Sequence, residues 1–140
     1  MPRLATYEDI PLMVPMGRRF HTASGFASYS DFNATDFADA IETLIDDECG
    51  LVLLSDRGMM GAAIGQLWYD KSITCAEELF WWSEDGSGLK MLKMAEEWAR
   101  ERGAKAMRMG CIVNDNLPRM DRLYDRLQYG AREAMYMKVF

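Results

Sequence analysis

The sequence is short of the residues that hold metals. It has one histidine, His21, and three cysteines, Cys49, Cys75 and Cys111, which lie far apart. No Cys-x-x-Cys and no Cys/His pair at ligand spacing occurs, so the common zinc patterns are excluded and no metal is expected. An odd number of scattered cysteines also excludes a disulfide framework. Cys75 and Cys111 fall in apolar runs, where a buried thiol is the ordinary reading, and reduced thiols suit a cytoplasmic setting. No apolar run of about 18 residues is present, and the N-terminus lacks the apolar core of a signal peptide, so no membrane span is expected. Basic residues are outnumbered: 16 Lys and Arg stand against 22 Asp and Glu, for a net charge of −6. A nucleic-acid binder needs clustered cations, so that class is set aside. The acid surplus fits a cationic partner or simply a solvated surface.

What is present is enough apolar material for a full core. The 140 residues are 49% hydrophobic, which suits a single domain over 1–140 without staples. Twelve methionines make that core soft and adaptable. Repeats, linkers and low-complexity runs are lacking.

Periodicity and punctuation lay out the elements. After the short apolar start Leu4-Ala5, Thr6-Tyr7-Glu8-Asp9 resembles a capping box with Asp for Glu. A helix over about 8–20 follows, with Pro11 in its first turn and Pro15 kinking or splitting it. Residues 21–32 read as a loop or mobile helix. Asn33 caps a helix to about Asp47, with Phe37, Ile41, Leu44 and Ile45 on one face. Leu51–Leu54 is a buried strand, Asp56-Arg57-Gly58 a hairpin turn, and 60–69 a strand whose Gly61 and Gly65 suggest a bulge or a close approach. A strand over 75–82, a clean amphipathic helix over 88–102 stopped by Gly103, a strand over 105–113, a helix over 117–127 and a last alternating strand over 134–140 complete the order. The expected fold is α/β, a mixed sheet in the order β-α-α-β-β-β-α-β-α-β with helices on both faces.

The most telling stretch is Glu77-Glu78-Leu79-Phe80-Trp81-Trp82-Ser83-Glu84-Asp85-Gly86-Ser87-Gly88. It reads as strand, glycine turn and helix start, a geometry that gathers backbone N–H groups around an anion. Two acids, Glu84 and Asp85, lie within that cradle and oppose an anionic ligand. Asp85 or Ser87 also reads as a plain helix cap that competes for the same N–H groups. Lys90 and Lys93 follow and compensate if they face the ligand.

The element order, the Arg3-Leu4-Ala5-Thr6-Tyr7-Glu8-Asp9 start, the Gly86-Ser87-Gly88 turn, Ala95-Glu96-Glu97-Trp98-Ala99, Glu101-Arg102-Gly103-Ala104 and Tyr124-Asp125-Arg126-Leu127-Gln128-Tyr129 together resemble the GCN5-related N-acetyltransferase family. The strand Glu-Leu-Phe-Trp-Trp is similar to that of small members carried by bacteriophages. The resemblance implies acetyl-CoA as co-substrate and a primary amine, small or protein-borne, as acceptor. It also implies a cytoplasmic location (the host's if phage-borne), and it leaves room for a homodimer. In that family the pyrophosphate sits on an Arg/Gln-x-x-Gly-x-Gly/Ala turn between the fourth strand and its helix. Here the register reads Ser83, Glu84, Asp85, Gly86, Ser87, Gly88, with Ser83 in place of the Arg or Gln. Gln128 likewise replaces a family glycine.

The resemblance implies roles for further residues. Backbone N–H groups flanking Trp81 and Trp82 would polarise the thioester carbonyl if the strand splays there. Glu78 would act as general base, its pKa raised by burial; alternation lets only one of Glu77 and Glu78 point into the cleft. The alternative for both is a solvated strand-end acid. Tyr124 would protonate the departing thiolate, or simply pack as a helix tyrosine. Asn116, with Asn114 as the alternative, would contact the pantetheine arm or cap the helix. The acceptor wall is expected between 20 and 37. With no cysteine expected at the thioester, direct transfer in a ternary complex is favoured over a covalent acetyl-enzyme. A competing reading is a decayed member of the fold that binds a partner protein.

Overall fold

Local chemistry at the N-terminus starts the fold. The Thr6 N–H donates to Asp9 Oδ2 (2.8 Å), and the same carboxylate takes a two-pronged bond from Arg3 (2.7 and 2.8 Å). In the computed structural model, which describes residues 1–140, this box forms a 3-10 turn over Tyr7–Asp9 that leads into α1 (Ile10–Ala23). Pro15 lies inside α1, yet the helix is continuous and runs on through Phe20 and His21. Proline removes one ladder bond; burial of Met13 and Met16 on either side of it offsets that loss. α2 (Ala34–Asp46) begins where the Asn33 side chain accepts the Asp36 N–H (3.0 Å).

The sheet runs in the order β1 (Arg3–Leu4), β2 (Gly50–Ser55), β3 (Gly58–Leu67), β4 (Asp70–Ser83), β5 (Ala106–Arg108). Its first three pairings are antiparallel and β4–β5 is parallel. α3 (Gly88–Glu101) connects β4 to β5, and α4 (Leu117–Arg126) follows. Alternation splits the strands between two cores. Val52, Leu54, Met59 and Phe80 pack with Met13, Met16 and Ile41 of α1 and α2. Leu51, Leu53, Met60 and Ala62 pack with Met91, Leu92 and Ala95 of α3. The expected mixed sheet with helices on both faces is therefore present. No helix is long and apolar enough to cross a membrane.

Three details differ from the sequence reading. β5 is three residues long instead of spanning 105–113. The segment 134–140 alternates like a strand but belongs to none, and Met135, Tyr136 and Phe140 are exposed. The reason is that the chain leaves β4 after Arg108, so no long edge strand exists for it to join. Third, β3 and β4 are out of step in their middle: Gly61 pairs with Phe80 but Ala62 pairs with Glu78, leaving Leu79 as a bulged extra residue. Gly61 permits this, because a Cβ there would lie 2.3 Å from the Phe80 ring. Without the bulge, Glu78 and Phe80 would share a face; with it, Phe80 enters the α1/α2 core and Glu78 turns to the α3 side.

Candidate active site

The ladder between β4 and β5 covers only Cys75/Ala106 to Glu77/Arg108. Past it β4 continues to Ser83 while the other chain turns away, so the two open into a wedge. Glu78 is the first β4 residue inside. Its carboxylate accepts the Gly110 N–H (2.9 Å), and the Tyr124 O–H donates to the Gly110 carbonyl (2.6 Å). One residue of the far wall thus brings Glu78 and Tyr124 together. Glu77 faces the opposite side of the sheet, exposed, with its nearest cation, Arg108, 3.9 Å away.

Burial sets the protonation of this group. It pushes the Glu78 pKa above the ordinary carboxylate value; the Gly110 N–H opposes that push and the Glu77 charge adds to it. Tyr124 is buried, its ring 6.3 Å from Trp81 and 5.6 Å from Tyr129. Burial, then the Glu78 charge, raises its pKa well above a free phenol's. Cys111, expected to be buried, is instead exposed in the loop after Gly110. Partial desolvation, with the charges of Asp121 and Glu78, pushes its thiol up, so it stays protonated and is a poor nucleophile.

The glycine turn is built from its own side chains. Gly86 takes the left-handed conformation (φ 76°) that reverses the chain. Asp85 turns inward and accepts from Ser55 Oγ (2.8 Å), the Arg57 N–H (2.9 Å), Ser87 Oγ (2.5 Å) and the Ser87 N–H (3.1 Å). These donors, led by the Ser87 hydroxyl, hold its carboxyl far below the usual range. Ser83 Oγ accepts the Gly88 N–H (3.2 Å). Glu84 turns the other way into a fork from Arg19 of α1 (3.0 and 2.9 Å), with Arg57 3.9 Å off. The Glu84 charge is therefore balanced by arginine, while Asp85 keeps its charge and is held by neutral donors. The N–H groups of Ser87 and Gly88, expected to cradle phosphate, are engaged internally. The helix ladder starts with the Met91 N–H on the Ser87 carbonyl (3.0 Å). That leaves the Leu89 and Lys90 N–H groups as the open donors of the helix start.

Several expected site residues are placed differently. Trp81 and Trp82 lie on opposite faces: Trp81 Nε1 donates to the Gly88 carbonyl (3.1 Å), while Trp82 packs 6.1 Å from Phe20 in the α1/α2 core. The irregularity in β4 is at Leu79, not at the tryptophans, because the bulge forms where Gly61 admits Phe80. Asn116 is exposed at the start of α4, and Asn114 Oδ1 accepts its backbone N–H (2.9 Å). The rings expected to form an acceptor wall pack on one another: Phe20 on Phe26 (5.8 Å), His21 on Phe32 (5.8 Å), Phe32 on Phe37 (5.3 Å). Sequence reasoning missed Gly110, Ser55 and Arg19. Gly110 interrupts an apolar run, a place where backbone commonly approaches another group, and was the one legible signal. No group of three or more His, Cys, Asp or Glu residues is arranged to hold a metal.

No family profile and no curated protein matches the chain by sequence. Solved structures do match it in shape. A transcriptional regulator from Bacillus halodurans C-125 superposes with a TM-score of 0.73 at 17% identity, over 99% of this chain and 98% of the other. A predicted acetyltransferase from Clostridium acetobutylicum, crystallised with acetyl-CoA, gives 0.73 at 14% identity, over 99% and 94%. An aminoglycoside acetyltransferase from an uncultured soil metagenomic sample, in complex with sisomicin, gives 0.68 at 13% identity, over 100% and 96%. At such identities the likeness establishes the fold, that of the GCN5-related N-acetyltransferases, and not the activity.

Proposed function

We propose that the chain is a GCN5-related N-acetyltransferase that moves the acetyl group of acetyl-CoA onto a primary amine by direct attack in a ternary complex. One observation carries this: the β4–β5 wedge has, just inside its mouth, a half-buried carboxylate with a raised pKa and a buried tyrosine, both fixed to Gly110. Acetyl-CoA supplies a thioester whose acyl carbon accepts the amine. The β4 backbone past Glu77 has no strand on its β5 side, which suits an extended arm lying along it. The open N–H groups of Leu89 and Lys90, with the Lys90 and Lys93 side chains, suit phosphate.

Glu78 takes the proton that the amine loses as the C–N bond forms and the C–S bond breaks. A carboxylate with a raised pKa accepts that proton better than an ordinary one, yet still holds it loosely enough to pass it on to the departing thiolate. Tyr124 is less suited to that second step. Its proton is bound far more tightly than a thiol's, and its hydroxyl is committed to Gly110. We assign Tyr124 to holding Gly110, and through it Glu78, in place. This replaces the proton-donor role that the family resemblance implies.

A second reading, a protein-binding module with a decayed cofactor turn, is favoured by one specific observation: Asp85 and Ser83 already occupy the Ser87 and Gly88 N–H groups. Thermal shift with acetyl-CoA separates the two. A hundredfold excess over Kd adds about 2.7 kcal/mol to stability. We expect a clear rise in Tm; no rise at millimolar acetyl-CoA would leave only the module.

A further inference from the structure

α1 and α2 cover only part of their face of the sheet. Beyond Gly61 that face continues through Ala63, Gly65 and Leu67, paired with Glu77, Cys75 and Asp70. A cavity of about 190 Å³ lies there, and Leu67, Cys75, Glu77, Leu79 and Arg108 line it. Gly65 forms an open floor, since a Cβ on it would meet nothing within 4 Å. Leu79, the bulged residue, is 52% exposed at the upper end. The groove therefore reaches β4 at the level where the wedge opens, from the side opposite Glu78 and Tyr124.

Its lining is apolar apart from Gln66 and one acid and one base at the rim. Arg108 donates to Glu133 Oε2 at 3.0 Å but stands 3.9 Å from Glu77. Arg108 is thus held more closely by Glu133, and its pairing with the exposed Glu77 is the looser of the two. A carboxylate beside an apolar floor complements an ammonium on a short apolar stem. We infer that this groove is the acceptor subsite and that it takes small primary alkylamines. Glu77 holds the ammonium at the mouth of the wedge, and the stem lies over Gly65 and Cys75 toward Leu67. The inference rests on the transferase reading. It moves the acceptor away from the aromatic segment 20–37, whose rings are packed on one another. It also divides two acids on opposite faces of the sheet between two tasks: Glu77 receives the charged amine, and Glu78, which the amine reaches through the open wedge, takes its proton.

The test uses n-butylamine and its neutral counterpart n-butanol, titrated into the protein without acetyl-CoA and followed by ¹H–¹⁵N spectra. Butylamine should shift the amides of Gly65, Cys75 and Glu77, with butanol binding about tenfold more weakly. Glu77→Gln should erase that preference. Gly65→Leu, whose side chain enters free space, should block both ligands. Alkylation of Cys75 by iodoacetamide, read by peptide mass, should slow when butylamine is bound, and this readout needs no variant to fold. Equal binding of amine and alcohol, shifts confined to other residues, or unchanged Cys75 alkylation would overturn the subsite. Thiol release from acetyl-CoA with butylamine then separates the two layers. On the subsite reading, Glu77→Gln raises KM about tenfold with little change in kcat. Release that both variants leave untouched removes the groove and keeps the transferase. Binding at the groove with no release from wild-type protein removes the transferase and keeps the groove as an amine site.

Discussion

Asp85 and Glu78 are both carboxylates beside the same wedge, and the protein treats them in opposite ways. Asp85 is exposed but surrounded by donors from Ser55, Arg57 and Ser87, and its pKa is driven down. Glu78 is more enclosed and has a single donor, the Gly110 N–H, and its pKa is driven up. Hydrogen bonds to the charged form outweigh desolvation in the first case and fall short of it in the second. Asp85 is thus a permanent anion that ties the turn to the β2–β3 hairpin. Glu78 is a carboxylate poised to take a proton. A count of acids near a cofactor turn cannot tell these apart; only the number of donors each one meets can.

The largest break in that contrast should come from Glu78→Gln. Removing a general base lowers kcat/KM by roughly 10²–10⁴-fold. In wild-type protein the rate should rise with pH through the Glu78 pKa, above the ordinary carboxylate range, and that limb should vanish in the variant. An unchanged pH profile would remove Glu78 from the chemistry. Asp85→Asn should do the reverse, keeping the limb and losing stability. Replacing its charged hydrogen bonds, discounted for exposure, costs about 1–2 kcal/mol, or several degrees in Tm. A depressed folded-state pKa gives stability that is full above the unfolded value and is lost as pH falls toward the folded one. Urea midpoints of wild type and variant should therefore differ at pH 7, begin to draw together below about pH 4, and meet only as pH nears the strongly depressed folded-state value. A gap that persists in acid would mean that packing, not charge, is what Asp85 supplies.

Much of this contrast could not be read from the sequence. The helices α2 and α3 and the strands β2 to β4 were legible because periodicity and caps act over neighbouring residues. The opposite facing of Glu77 and Glu78 was legible for the same reason. The bulge at Leu79 was only half visible, since Gly61 flagged a close approach without saying that Phe80 makes it. Gly110, Arg19 and Ser55 act on residues 32, 65 and 30 positions away, and no local pattern encodes such distances. The strand expected over 134–140 shows the converse limit. Its alternation is real, but a strand also needs a neighbour, and β5 is too short to provide one.

The smallest expected effect concerns Glu84, whose charge the Arg19 fork neutralises beside the helix start. The pair is solvent-accessible on the arginine side, so Arg19→Ala should leave Tm almost unmoved. Its consequence should appear instead in acetyl-CoA binding. Once Arg19 is gone, Glu84 keeps only the looser Arg57 contact at 3.9 Å, stands as a poorly matched anion near the Leu89 and Lys90 N–H groups and repels phosphate. We expect Kd to rise by roughly threefold at low ionic strength, and the difference to fade near 0.5 M salt as screening shortens the reach of the charge. Adding Glu84→Gln to Arg19→Ala should restore wild-type affinity, because the repelling charge is then absent. If the single variant binds as wild type at low salt, the phosphates lie away from this turn. The internal bonds of Asp85 and Ser83 would then be the whole of its purpose.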